Sequence, residues 1–429
     1  MRNDLMKKAM ALVLALVMVL GLGVTGVQAA PASRKLTFEK LDNVSADLFG
    51  SGAVIENEHE KLHADTDMVR VMIVMEGKPA MNELKGSENF TTNIDAVNYR
   101  AELQAKQEKV TADISRQALK GKKLDVVWNL TLLANAISAN VRYGDIEKIE
   151  KVQGVEKVYL ETVYYPQTAE PSNIVAQEMT GANVAQNSYG YYGAGTSVAV
   201  IDTGTDPDHQ SFSAEGFEYA LAQNAAEVGM ELDEYMESLD LMDAEDIAKV
   251  LPQLNVGKRF PELTAEELYV NAKRPFNFNY VDGNLDISHD NDDMGSHGSH
   301  VAGIATANAY IPAEDGFVAA MDSALVQGVA PDAQLITMKV FGKAGGAYDS
   351  DYMAAIEDAV ILGCDAANLS LGSGNPGMSR NATAEYQAIL DSLTEAGIVV
   401  AMSAGNSGYW AESAYNAGFL YADDVSMQT

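Results

Sequence analysis

The stretch Gly295-Ser296-His297-Gly298-Ser299-His300-Val301-Ala302-Gly303-Ile304 carries two histidines set among small residues, with an apolar, helix-like run behind them. Small neighbours let other backbone come close and leave an imidazole reachable from outside, which suits a ring that passes protons to a bound substrate. A histidine buried at a helix start, a zinc pair and a solvent-facing polar turn are the competing readings of this pattern alone. Zinc helices of the metalloprotease type need His-Glu-x-x-His, and no Glu follows His297. A carboxylate suited to such a ring lies far upstream, Asp202 in Val200-Ile201-Asp202-Thr203-Gly204. It closes an apolar run, where an unpaired charge is costly, and an imidazole is a partner whose tautomer it would fix. A lone Asp at a strand end also caps the turn after it, so this motif stays open by itself.

The elements that must position these groups are legible as alternating patterns. Ser197 to Ile201 reads as a strand covered on both faces. Further on come the strand Leu335 to Val340, the helix Asp351 to Leu362, the strand Ala367 to Leu371, the helix Thr383 to Ala396 and the strand Ile398 to Ala401. That punctuation implies a parallel sheet with right-handed crossovers, whose functional groups collect at the carboxyl ends of the strands. The residues there are Asp202, Ser370-Leu371-Gly372 and Ser403-Ala404-Gly405-Asn406. Between the first strand and the histidines, an acidic, largely helical segment from about 215 to 273 reads as a surface insertion, with helices over Glu218–Met242, Ala244–Leu251 and Ala265–Asn271. Upstream, a strand Val69–Met75, a helix Ala96–Lys120, strands Leu124–Leu133 and Ile137–Val141, a short helix Asp145–Val152 and a strand Val155–Tyr159 give the order β-α-β-β-α-β of a small ferredoxin-like α+β unit. Pro166 to Pro171 reads as the linker after it.

The chain has 429 residues, enough for more than one domain, and 47% of them are hydrophobic, which argues for a globular protein. A net charge of −32 excludes nucleic acid as a natural partner, because binding phosphates needs a basic surface. The single cysteine, Cys364, rules out an intrachain disulfide and reads as a small core residue. At the N-terminus, Arg2, Lys7 and Lys8 precede an apolar run Ala9–Leu22 that ends at Val27-Gln28-Ala29. This is the pattern of a signal peptide cleaved after Ala29, with an uncleaved anchor as the alternative. No second stretch of membrane length follows, and export without disulfides fits a bacterial exoprotein. The expected organisation is a signal peptide at 1–29, a linker at 30–67, the ferredoxin-like unit at 68–165 and an α/β unit at 172–429.

Taken in order, Val198-Ala199-Val200-Ile201-Asp202-Thr203-Gly204, His297-Gly298-Ser299-His300-Val301-Ala302-Gly303, Asn368-Leu369-Ser370-Leu371-Gly372 and Ser403-Ala404-Gly405-Asn406 resemble successive signatures of subtilisin-like serine peptidases. The long insertion makes the larger cell-envelope members look closer than the compact ones. The resemblance implies that Asp202 orients His297, that His297 is the general base with His300 structural, and that Asn406 donates its amide to the developing oxyanion. It implies that Ser370, Leu371 and Gly372, with Gly345 and Gly346, form edges that hold a peptide by strand addition. The 68–165 unit is similar to the inhibitory propeptide of such enzymes.

One member of the set has no counterpart. The family's nucleophile lies in Gly-Thr-Ser-Met-Ala after the oxyanion Asn, and nothing after Asn406 matches it. Gly195-Thr196-Ser197 precedes the Asp strand and opens the strand itself. The expectation is a secreted serine endopeptidase whose chain here stops before its serine; the alternative is a peptide-binding protein that keeps the cleft without the nucleophile. Asp282, Asp286, Asp290, Asp292 and Asp293 could hold structural calcium, but their spacing does not match an EF-hand loop.

Overall fold

The computed structural model of the chain describes residues 63–84, 92–161, 163–166, 176–290, 292, 295–343, 346–372, 393 and 396–403. The signal-like segment 1–29, most of the linker 30–67, nearly all of the expected helix Thr383–Ala396, Gly345 and Asn406 lie outside these residues.

The first unit is a four-stranded antiparallel sheet of β1 (Met68–Met75), β2 (Asp125–Leu130), β3 (Ala136–Arg142) and β4 (Val155–Leu160), in the order β2-β3-β1-β4. Helix α1 (Ile94–Gln117) starts where the Asn93 side chain accepts from the amides of Asp95 and Ala96. With a short helix at Ile146–Ile149 it realises the ferredoxin-like order expected from the pattern. Strand alternation splits β1 between two cores: Val71, Ile73 and Met75 pack with Val110 and Ile114 of α1, while Met72 faces a larger cluster on the other side.

That larger cluster surrounds a five-stranded parallel sheet. Its strands are β6 (Ser197–Asp202), β7 (Phe276–Asn279), β10 (Gln334–Lys339), β12 (Ala366–Leu369) and β14 (Val399–Met402), in the order β14-β12-β6-β10-β7. Strand β6 is central, with Ala199 and Ile201 in the main core and Val200 on the opposite face with Phe212, Ala302 and Leu335. Helix α2 (His297–Thr306) supplies Ala302 on that face. On the main-core side, helix α3 (Asp349–Leu362) is buried along its whole length from Asp349 to Ile361. It lies between the parallel sheet and the free face of the antiparallel sheet, so the two units share one core. Residues β8 (Tyr310–Ala313) and β9 (Gly316–Ala319) form a hairpin after α2.

Two expectations are corrected. The 215–273 segment is helical, but it is not confined to the surface. Leu254, Val256, Ile247 and Leu268 are fully buried in the main core, and Phe217 and Leu221 are buried too. Its acidity lies on the outward faces of short helices whose apolar residues point inward, a division that composition averages away. The long helix expected over Glu218–Met242 is broken into Ala214–Val228 and Leu232–Ser238, because Gly229 takes φ +73° and closes the first. The second correction concerns the linker. Pro166 is the last residue of a strand, β5 (Val163–Pro166), which lies between two short edge strands, β11 (Ala347–Tyr348) and β13 (Leu371–Gly372).

Candidate active site

Asp202 is the last residue of β6 and is completely buried. The Nδ1–H of His297 donates to its Oδ1 at 2.7 Å across 95 positions of sequence, since an ionised carboxylate only accepts. The backbone N–H of Thr203 donates to the same oxygen at 2.7 Å. Bonding through Nδ1 leaves Nε2 as the atom able to take a proton. The hydrogen bond from Asp202 is the main cause that raises the His297 pKa above its ordinary value; burial of the ring works against it and the charge of Asp202 adds to it.

The local sequence explains how the two groups meet. Thr203 Oγ1 accepts from the N–H of Gly298 at 2.7 Å and donates to the Gly295 carbonyl at 3.3 Å, tying the first turn of α2 to the end of β6. Gly204 has φ +97°, and a Cβ there would lie 2.1 Å from the Ile287 carbonyl oxygen. On the other side of the contact, a Cβ on Gly298 would lie 2.1 Å from the Gly204 carbonyl oxygen. Lys339, at the end of β10 and buried, donates to the Thr203 carbonyl and pairs with Asp292. A charged residue inside the otherwise uncharged strand Leu335–Val340 was the available signal for Lys339, and sequence reasoning missed it.

The other sequence-selected residues are placed as follows. His300 is exposed on α2, and among the described residues no three His, Cys, Asp or Glu side chains converge as metal ligands. Asp282 accepts from Asn279 and from the Lys343 amide, and Asp286 accepts from Ser288; Asp293 lies outside the described residues. Ser197 opens β6 with its amide on Asp365, about 16 Å of strand away from Asp202. Cys364 is buried, and burial pushes its thiol up to about 12. Ser370 lies between β12 and β13 and its hydroxyl accepts from Asn368 at 2.9 Å. Leu371 and Gly372 form β13, and buried Gly346 precedes β11.

The two edges are occupied. On one side Tyr165 is opposite Gly372 and Pro166 opposite Leu371; on the other, Val163 is opposite Tyr348 and Tyr164 opposite Ala347, all antiparallel. The antiparallel unit is held next to this point by acids of α3. Asp351 accepts from Trp128 Nε1 at 2.9 Å and from Arg70 Nη1 at 3.2 Å. Glu357 Oε1 accepts from the amides of Leu132 and Leu133 at 3.0 and 2.8 Å. Glu161, just before β5, takes the amide and hydroxyl of Ser350 at the start of α3 and the hydroxyl of Ser138. Burial raises its carboxyl to about 7 in spite of those three donors.

Residues 193–422 match the subtilase (peptidase S8) family. The chain is 32% identical over 398 residues to the PI-type proteinase of Lactococcus lactis subsp. cremoris, covering 90% of this chain and 18% of that protein. It is 26% identical to the minor extracellular protease Vpr of Bacillus subtilis (strain 168), over 91% of this chain and 38% of that protein. A crystal structure of the epidermin leader peptide processing serine protease from Staphylococcus aureus aligns with a TM-score of 0.40 at 17% identity, over 80% of this chain and 61% of that one. The chain thus spans under a fifth of the length of the lactococcal protein.

Proposed function

Because the chain belongs to the subtilase family, we propose that it carries the general base and orienting acid of a secreted serine endopeptidase, together with that enzyme's own inhibitory unit. The observation that carries the reading is the 2.7 Å contact from His297 Nδ1 to Asp202 Oδ1 at the carboxyl end of a parallel strand. In this reading Nε2 of His297 takes the proton of an attacking serine hydroxyl and returns it to the leaving amine, while buried Asp202 keeps the ring in the required tautomer. Asn406 is assigned the oxyanion, and Ser370–Gly372 with Gly345 and Gly346 the extended backbone of a peptide substrate. The pairing of β5 with β11 and β13 supports a unit at 68–165 that blocks the cleft with its own C-terminal strand. A signal-like segment at 1–29 supports export, as does likeness to a relative named as extracellular.

The 429 residues contain no serine in a Gly-Thr-Ser-Met-Ala setting, and among the described residues no hydroxyl hydrogen-bonds to His297. The chain by itself is therefore expected not to turn over peptides. A peptide-binding protein would have no use for the braced Asp202–His297 pair, which favours the enzyme reading. A serine-directed fluorophosphonate should leave the 429-residue chain unlabelled and label a version extended through a Gly-Thr-Ser segment, with His297→Ala abolishing the labelling. Labelling of the extended version that ignores His297→Ala would overturn the proposal.

A further inference from the structure

Away from the Asp202–His297 pair, a cavity of about 170 Å³ opens beside the start of β7. Its lining includes Arg274, only 5% exposed, and Asn277, 3% exposed. The Nε and Nη1 of Arg274 and the Oδ1 of Asn277 are buried with no hydrogen-bond partner among the described residues. Asp206 and Asp208 act on this guanidinium only through space. A buried guanidinium with idle donors is costly unless something supplies an oxyanion, so the cavity is built around an unmet need.

The rest of the lining narrows the choice of ligand. Val270, Leu285 and Ile287 give the cavity an apolar part of its lining, and the exposed Glu267 and Asp286 line it too, their carboxylates accepting, among the described residues, only from Thr264 and Ser288 nearby. In a chain of net charge −32, those two acids repel a bare anion but attract a cation. A ligand that meets all three demands carries a carboxylate, an ammonium group and an apolar body. We propose that this cavity binds a free apolar α-amino acid, its carboxylate on Arg274 and its ammonium toward Glu267 and Asp286. One wall is shared with the Asp202 loop: the Ile287 carbonyl accepts from the Thr205 amide at 2.9 Å and presses on Gly204. Occupancy would therefore brace the loop that carries Asp202.

The test is titration of the 429-residue chain with L-leucine, leucinamide, acetate and inorganic phosphate, read by calorimetry and by the shift in Tm. Saturable binding of leucine, with at least tenfold weaker binding of leucinamide and acetate, is the expected result. Phosphate binding as tightly as leucine, or no leucine binding at all, overturns the proposal. Arg274→Met separates a ligand role from a structural one. It should remove the leucine-induced shift and leave the unliganded Tm unchanged or raised, because it deletes an unpartnered buried charge. Should that variant fail to fold, Glu267→Gln with Asp286→Asn decides the matter, since the pair should weaken leucine about tenfold and strengthen acetate, which the two carboxylates repel. Equal leucine affinity in that pair overturns the assignment.

Discussion

The carbonyl oxygen of Gly204 faces Gly298 so closely that a Cβ on Gly298 would lie 2.1 Å from it. This contact joins the residue after His297 to the loop after Asp202, and it is backbone against backbone. No rotamer change can relieve it. Gly298→Ala should therefore push the first turn of α2 away and lengthen the His297–Asp202 hydrogen bond. The expected cost is about 1–3 kcal/mol in urea unfolding, as for other overpacked sites. An imidazole NMR titration should show the His297 pKa falling. Wild-type stability and an unchanged titration would contradict the close approach.

Asp202→Asn tests the electrostatic half of the pair. The His297 pKa is raised chiefly by its hydrogen bond to Asp202 and lowered by burial, so removing the charge leaves the lowering cause dominant. The ring should then titrate below its ordinary 6.5. In the wild type the pairing stabilises the fold fully below pH 6.5, and that contribution is lost as pH rises through the elevated pKa. In a version of the chain that turns over peptides, the same substitution should lower kcat by roughly 10⁴.

Removing β5 should expose the edges it occupies. Deleting residues 163–166 frees Ala347–Tyr348 and Leu371–Gly372, whose backbone groups then need new partners. A fluorescently labelled extended peptide should gain measurable affinity by anisotropy, while the parent chain shows none. Binding of equal strength to both would mean that β5 does not block the cleft.

Trp128→Phe removes one of the donors to buried Asp351 and keeps an aromatic ring, though a smaller one. Leaving that carboxylate short of a partner should cost about 1–3 kcal/mol. The loss should appear as faster hydrogen exchange in 68–160 before the parallel sheet responds. Unchanged exchange there would place the docking energy elsewhere.

Glu161 makes the docked state depend on pH. Its carboxyl is raised from 4.5 to about 7 by burial. A raised folded-state pKa means that this group's contribution to stability is fully present below pH 4.5 and is lost as pH climbs through about 7. Glu161→Gln, uncharged at every pH, should remove up to about 3 kcal/mol of that decline. Urea unfolding at pH 5 and pH 8 measures the difference, and an unaltered slope in the variant would refute it.

Much of the site was legible in the sequence for a physical reason. Apolar runs ending in Asp202 and small residues flanking His297 record local demands, a strand covered on both faces and a backbone that must come close. The alternation of strand and helix patterns likewise carried the parallel sheet and the ferredoxin-like unit, because side-chain periodicity is a property of each segment alone. Strand β5 was not legible: four residues pair through main-chain groups that every residue type carries, so no side-chain pattern marks the pairing. Nor was the burial of the 215–273 segment, since an acidic composition does not reveal which face meets a neighbour. The acids of α3 show the same limit. Asp351 and Glu357 lie on a helix whose pattern reads as ordinary, and only the approach of Trp128 and the 132–133 amides, more than 200 positions away, gives them partners. Sequence determined most of the strands and helices and which groups could react; the tertiary structure decided which of them meet, because contact depends on packing between segments that no local period encodes.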